Sequence, residues 1–218
     1  MQQKIPCLCD NTFTAEIPEE IDLDGEPKYI DEITSGSFMN FTCPSCGKKH
    51  RPEFPLVLIW PSHNLRLDVI PELNRGEFYR RKKNPPPVKN LEVVIGYPEL
   101  SDRIAVIRDG LEPAAVEALK YFLFLKADEN YPDSDINIWY QGKGPESSAE
   151  GPISPPGTIE FHLHGIREGE AAITRIPMDV YEKTLADFRR HPRGEVFSAL
   201  RVRNYLSVQN TIRPVELQ

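Results

Sequence analysis

Apolar residues recur along the chain with two periods. A period of two runs through "TFTAEIPEEI", where Phe13, Ala15 and Ile17 share one face of an extended segment. "FPLVLIW" and "LRLDVI" form an apolar pair of strands around "PSHN", a turn-forming stretch. "FMNFTCPSCGKKH", "LEVVIG", "INIWYQG", "TIEFHLHGI" and "EAAITRIP" read as further strands. "LRVRNYLSV" alternates Leu200, Val202, Leu206 and Val208 inward with Arg201 and Arg203 outward, which predicts a strand near the C-terminus. A helical period appears in "EPKYIDEITSG", with Tyr29, Ile30 and Ile33 on one side and Gly36 at the end. Leu100, Ile104 and Ile107 stripe a second helix that Asp109-Gly110 terminates, and Pro113 opens a third. Val116, Leu119, Phe122 and Leu123 are its expected buried face, and Pro177 opens an amphipathic helix over "MDVYEKTLADFRR". Strands grouped with a few helices, without repeating βαβ units, predict an α+β fold with a largely antiparallel sheet.

"FYRRKKNPPPVKN" interrupts this pattern, because Pro85 to Pro87 can continue neither a helix nor a central strand. The expected organisation is a segment at 1–84, a helical segment at 85–130 and a C-terminal α+β region at 131–218 that can share a core with the second. The 218 residues suffice for a core that needs no metal or disulfide merely to exist. The 21 prolines, about twice the usual frequency of roughly 5%, point to many ordered turns around a modest core.

Formal net charge is −7, and residues 1–78 hold 7 Lys/Arg against 13 Asp/Glu, so bulk attraction to nucleic acid or anionic membrane is disfavoured. With no apolar run of about 18 residues and no basic-then-apolar leader, a cytosolic protein is expected.

The four cysteines fall into two close pairs, Cys7-Leu8-Cys9 and Cys43-Pro44-Ser45-Cys46, joined by a loop long enough to return in space. Two short Cys-turn-Cys knuckles can each supply two thiolates to a tetrahedral zinc. Pro44 stiffens the second turn, and Gly47 can adopt the positive φ that lets backbone N–H groups point at sulfur. Disulfides compete with this reading but need an oxidising compartment, and an iron–sulfur cluster would use the same thiolates, although ribbon-like flanks favour zinc. Four thiolates leave no position for water, so the expected zinc is structural. His50 follows Cys46 closely and is expected to be a strand or supporting residue rather than a ligand.

Two other groups have candidate chemistry. With Ile159, Phe161 and Leu163 facing a core, Glu160, His162 and His164 share the opposite strand face and can form an open metal site; an ordinary solvent face is the plainer reading. Arg80, Arg81, Lys82 and Lys83 form the only dense basic run, next to Phe78 and Tyr79, a pattern that can contact nucleic acid; the global charge favours a solvated loop. No Gly-rich phosphate loop or GxSxG motif is present, which lowers the prior for an enzyme.

The chain resembles the CpXC family, a bacterial and archaeal domain named for two Cys-containing motifs. The resemblance rests on "CLC", "FTCPSCGKKH", "FPLVLIW" and "VVIGYPELSDRIAVIRDGLEPAAVEALK", and spans about residues 1–130. It implies that Cys7, Cys9, Cys43 and Cys46 are zinc ligands and carries no activity with it. The first motif is a residue short of Cys-Pro-X-Cys, so its turn is tighter and fewer N–H groups can reach its sulfurs. The expected protein is a non-enzymatic accessory or regulatory module with a structural zinc, binding a protein partner or a second copy of itself. A metal-dependent enzyme using a pocket at 158–165 and a nucleic-acid-binding zinc ribbon are the alternatives.

Overall fold

Residues 1–80, 90–132, 134–144 and 157–212 are described by a computed structural model, in which the chain divides into units at Met1–Ser101 and Asp102–Gln218. The fold is α+β, with antiparallel pairing predominant and an N-terminal hairpin that carries the first cysteine pair.

In the first unit, β1 (Gln2–Pro6) pairs antiparallel with β2 (Thr12–Glu16), placing Ile5 opposite Phe13. The alternation puts Ile5, Ala15 and Ile17 into one small core, against which Phe13, Met39, Phe41 and Phe54 pack. After β3 (Glu20–Asp22), helix α1 (Lys28–Thr34) buries Ile33 and gives way to Gly36 at a φ of +73°, a left-handed position that terminates helices. The two-residue strands β4 (Phe41–Thr42) and β5 (Lys49–His50) pair antiparallel and close the second cysteine turn.

The apolar pair β6 (Leu56–Trp60) and β7 (Leu65–Ile70) forms the expected hairpin, turning through Pro61–His63 and a left-handed Asn64. Its flanks are parallel pairings, β3 with β6 and β7 with β8 (Leu91–Ile95), giving the order β8-β7-β6-β3. Leu56, Leu58 and Trp60 alternate inward on β6, as do Leu67 and Val69 on β7. Helix α2 (Arg75–Arg80) follows a short turn after β7. One Glu53 carboxylate accepts the backbone N–H groups of Tyr97, at 2.8 Å, and Glu72, at 2.6 Å. It therefore ties two segment starts to the residues that precede β6.

Helix α3 (Tyr97–Arg108) contains the unit boundary. In the second unit, α4 (Pro113–Asn130) starts at Glu112, whose carboxylate accepts the Ala114 N–H at 3.4 Å. Strands β9 (Asn137–Lys143), β10 (Thr158–His164) and β11 (Ala171–Pro177) form an antiparallel sheet with β10 in the middle. Ile159, Phe161 and Leu163 of β10 are buried, as their alternation predicts, in a core shared with Val116, Leu119 and Tyr181. Tyr181 comes from α5 (Met178–Arg190), whose charged side stays outward. A second cluster joins Ala114 and Ala118 to Phe197 of α6 (Glu195–Ala199) and to Leu200, Leu206 and Val208.

The second unit departs from the sequence pattern in three places. The C-terminal segment is not one strand: β12 (Arg201–Val202) and β13 (Tyr205–Leu206) pair as a tight hairpin with Arg203 at a φ of +59°, followed by α7 (Gln209–Ile212). The reversal buries Tyr205 and Ser207 beside Leu206 and Val208, so consecutive residues point inward where alternation predicts one face. On α4, Phe122 is 48% exposed, whereas Ala114 to Lys120 are all buried. The apolar stripe therefore misplaces the buried surface, which surrounds the first half of the helix rather than following one side to its end.

The third departure is charged. Glu117 and Lys120 of α4 are buried with Asp102, and the Lys120 ammonium donates to both carboxylates. The remaining oxygens accept backbone N–H groups, Asp102 from Tyr140 at 2.6 Å and Glu117 from Val208 at 2.7 Å. Arg103, also buried, donates to the Leu206 carbonyl at 2.7 Å. Such a cluster is tolerated in a dry interior because one ammonium serves both carboxylates and backbone N–H groups fill their remaining lone pairs.

Candidate metal centre

Two tight turns bring the thiols together. In the first, the Cys7 N–H donates to the Asn11 carbonyl at 2.8 Å and the Asp10 N–H to the Cys7 carbonyl at 3.1 Å. In the second, the Cys43 N–H donates to the Lys48 carbonyl and the Gly47 N–H to the Cys43 carbonyl, both at 2.9 Å. The turns differ by one residue in length but share a device. The residue after the second cysteine is left-handed in each, Asp10 at +64° and Gly47 at +71°. Glycine takes that conformation freely, and Asp is among the residues that tolerate it best. An aspartate thus does in the short turn what glycine does in the long one.

The four Sγ atoms lie within 4.8 Å of one another. Cys7 and Cys46 are 3.6 Å apart and Cys9 and Cys43 3.7 Å, so each close pair takes one sulfur from each turn. A tetrahedral zinc with Zn–S bonds of about 2.3 Å sets its sulfurs roughly 3.8 Å apart. The set therefore fits such an ion, and these separations are far from the roughly 2.05 Å of a disulfide. Among the described residues, this is the set of three or more His, Cys, Asp or Glu donors that converges.

The site is uneven. Cys7 and Cys43 are buried, at 8% and 1% exposure, while Cys9 and Cys46 are exposed. His50 of β5 lies with Nε2 3.2 Å from Cys7 Sγ, its ring edge-on to Phe13. Asn11 points its side-chain amide at Cys43 Sγ, 3.7 Å away. At Cys7 the Cys9 backbone N–H lowers the thiol pKa, but burial and the neighbouring Cys9, Cys46 and Cys43 side chains outweigh it and push it up to about 12. At Cys43 burial raises it, but the N–H groups of Cys46 and Ser45 and the Asn11 amide prevail and bring it down to about 6. Without metal, Cys43 is thus better prepared than Cys7 to be a thiolate.

Asn11 has no signal in the cysteine spacing. Its place follows from closing the first loop, where its own carbonyl accepts the Cys7 N–H. His50 is visible as a strand residue near Cys46, but its contact is with Cys7 of the other turn.

On β10, Glu160 accepts from His162 at 3.1 Å and from Arg175 of β11 at 2.9 Å. His162 and His164 have ring centroids 6.5 Å apart, and His164 is exposed. The structure thus couples Glu160 to Arg175 and His162, without His164 as a converging third donor. Arg80 closes α2, whereas Arg81, Lys82 and Lys83 lie outside the described residues. Among the described residues no helix is long and apolar enough to cross a membrane.

Residues 5–120 match the family model described as CpXC protein, a span that includes all four cysteines and ends in α4. An uncharacterized protein of Treponema pallidum (strain Nichols) is 30% identical over 228 residues, covering 95% of this chain and 97% of the relative. No solved structure matches the chain.

Proposed function

The chain belongs to the CpXC family, and we propose that its four cysteines hold one structural zinc ion in a non-enzymatic protein that works by binding a protein partner or a second copy of itself. Convergence of four Sγ atoms within 4.8 Å, at the edge lengths of a thiolate tetrahedron, carries this reading. When bound, zinc supplies cross-linking and, with all four positions filled by sulfur, no site for an activated water. The residues supply the rest: the two turns orient the sulfurs, and β1–β2 and β4–β5 hold the turns.

Leu8, between the first two ligands, is 84% exposed. It extends from the turn into solvent, where a partner of either kind would meet it. Reduced thiols in a zinc shell persist in the cytoplasm, the compartment this reading assigns.

Metal analysis of the purified full chain tests the site. One zinc per chain is expected, lost in Cys43→Ser. A chain that is metal-free, and stays so with reduced thiols and added zinc, overturns the proposal. Light scattering across a concentration series reads self-association, and affinity capture followed by reconstitution with the purified partner reads the alternative. A monomer that recruits no reproducible partner overturns the interaction role.

A further inference from the structure

We propose that the thiol cluster has a shielded side and a reactive side, with Cys9 and Cys46 the positions at which soft electrophiles modify this protein. This rests on the zinc reading and goes beyond it by assigning different chemistry to ligands of one shell.

Exposure divides the set first: Cys9 and Cys46 face solvent, and Cys7 and Cys43 do not. Hydrogen bonding adds to the shielding of the two buried sulfurs. Cys7 Sγ receives the Cys9 N–H and lies 3.2 Å from His50 Nε2. Cys43 Sγ receives the N–H groups of Ser45 and Cys46 and has the Asn11 amide at 3.7 Å. The exposed sulfurs lie against the buried ones, Cys46 Sγ 3.6 Å from Cys7 Sγ and Cys9 Sγ 3.7 Å from Cys43 Sγ. An N–H donor stabilises negative charge on a thiolate and withdraws the electron pair that would attack an electrophile. Burial and hydrogen bonding therefore both protect Cys7 and Cys43.

The division follows from the turns. In each, backbone N–H donation reaches the first sulfur, from Cys9 to Cys7 and from Ser45 and Cys46 to Cys43, and the residue after the second sulfur, Asp10 or Gly47, is left-handed.

The step is a simple displacement. With iodoacetamide, the sulfur electron pair of Cys9 or Cys46 attacks the methylene carbon, an S–C bond forms, the C–I bond breaks and iodide leaves with its electrons. The product is an uncharged thioether, a poorer zinc ligand than the thiolate it replaces. Modification of this edge is expected to release the ion.

The test uses the zinc-loaded full chain, with metal content measured first. Sub-stoichiometric iodoacetamide is followed by quenching, unfolding, isotopically heavy iodoacetamide and peptide mass spectrometry, while a chromogenic chelator follows zinc release. Light label at Cys9 and Cys46 is expected to exceed that at Cys7 and Cys43 by roughly tenfold or more, about the size of one charge-assisted hydrogen bond, with zinc release in step. Asn11→Ala is expected to raise labelling of Cys43, and His50→Ala that of Cys7, without changing Cys9 or Cys46. Even labelling of loaded protein, or first labelling at Cys7 or Cys43, overturns the proposal and leaves the zinc reading intact. A chain that cannot be loaded overturns the zinc reading and this proposal with it.

Discussion

Lys120 Nζ lies 2.7 Å from Glu117 Oε1, with both side chains buried and the buried Asp102 carboxylate a second acceptor for the same ammonium. Removing the cation leaves two carboxylates close together in a dry interior. Lys120→Met is expected to cost about 3–5 kcal/mol, read as a lower urea midpoint. Asp102→Asn and Glu117→Gln added to Lys120→Met should recover part of that loss, since the charge to be buried then disappears. A single variant as stable as the parent would show that the cluster is not load-sharing.

If the four cysteines hold the proposed zinc, chelating it should loosen residues 1–60 first. Structural zinc in small fingers contributes on the order of 10 kcal/mol or more, and that binding energy is also folding energy. Hydrogen exchange is expected to rise earliest around Cys7–Asn11 and Cys43–His50, the two closing turns. Unchanged exchange there after verified metal loss would refute a stapling role.

Gly165 has a φ of +89°, and a Cβ built on it would sit 1.9 Å from the Asp135 carbonyl oxygen. Gly110, at +71°, meets nothing within 4 Å. Gly110→Ala should therefore cost about 1 kcal/mol, the left-handed penalty alone. Gly165→Ala must also displace the Asp135 backbone just before β9 and is expected to cost well above that in thermal unfolding. Equal costs would mean that the close approach relaxes freely.

The pH dependence lies on the alkaline side. Burial pushes Tyr97 up to about 12, with the Phe54 N–H opposing it and the Glu53 charge assisting. Burial also raises Tyr79, Tyr140 and Tyr181, and at Tyr140 a hydrogen bond to Asp109 adds to it. A raised folded pKa means that the folded state keeps its proton where the unfolded state, near pH 10, has begun to release it. Stability is thus fully present below about pH 10 and falls as pH rises from there to about 12. Absorbance at 295 nm should show Tyr79, Tyr97, Tyr140 and Tyr181 ionising late, and all four becoming ordinary in denaturant. Tyr97→Phe should flatten the loss between pH 10 and 12.

The cysteine cluster and the strand faces were legible because each rests on local spacing. Two thiols one or two residues apart must project from one turn, and Ile159, Phe161 and Leu163 must share a side of any extended strand. Glu117 and Lys120 look like a solvent-exposed pair one turn apart on a helix, and only Asp102 and the backbone of Val208 make them interior. The C-terminal hairpin was hidden for a related reason: reversal at Arg203 puts Tyr205 and Leu206 inward together, which no single period describes.

By itself the sequence determined the α+β character, the strand pairing across "PSHN" and which four side chains can share a metal, since these follow from backbone periodicity and ligand chemistry over a few residues. Tertiary structure alone decided which sulfurs are shielded, that Asn11 and His50 attend Cys43 and Cys7, and that a charged triad sits in a core. Those depend on groups distant in sequence meeting at 2.7–3.7 Å, where burial and hydrogen bonding, rather than residue type, set what a thiol or a carboxylate does.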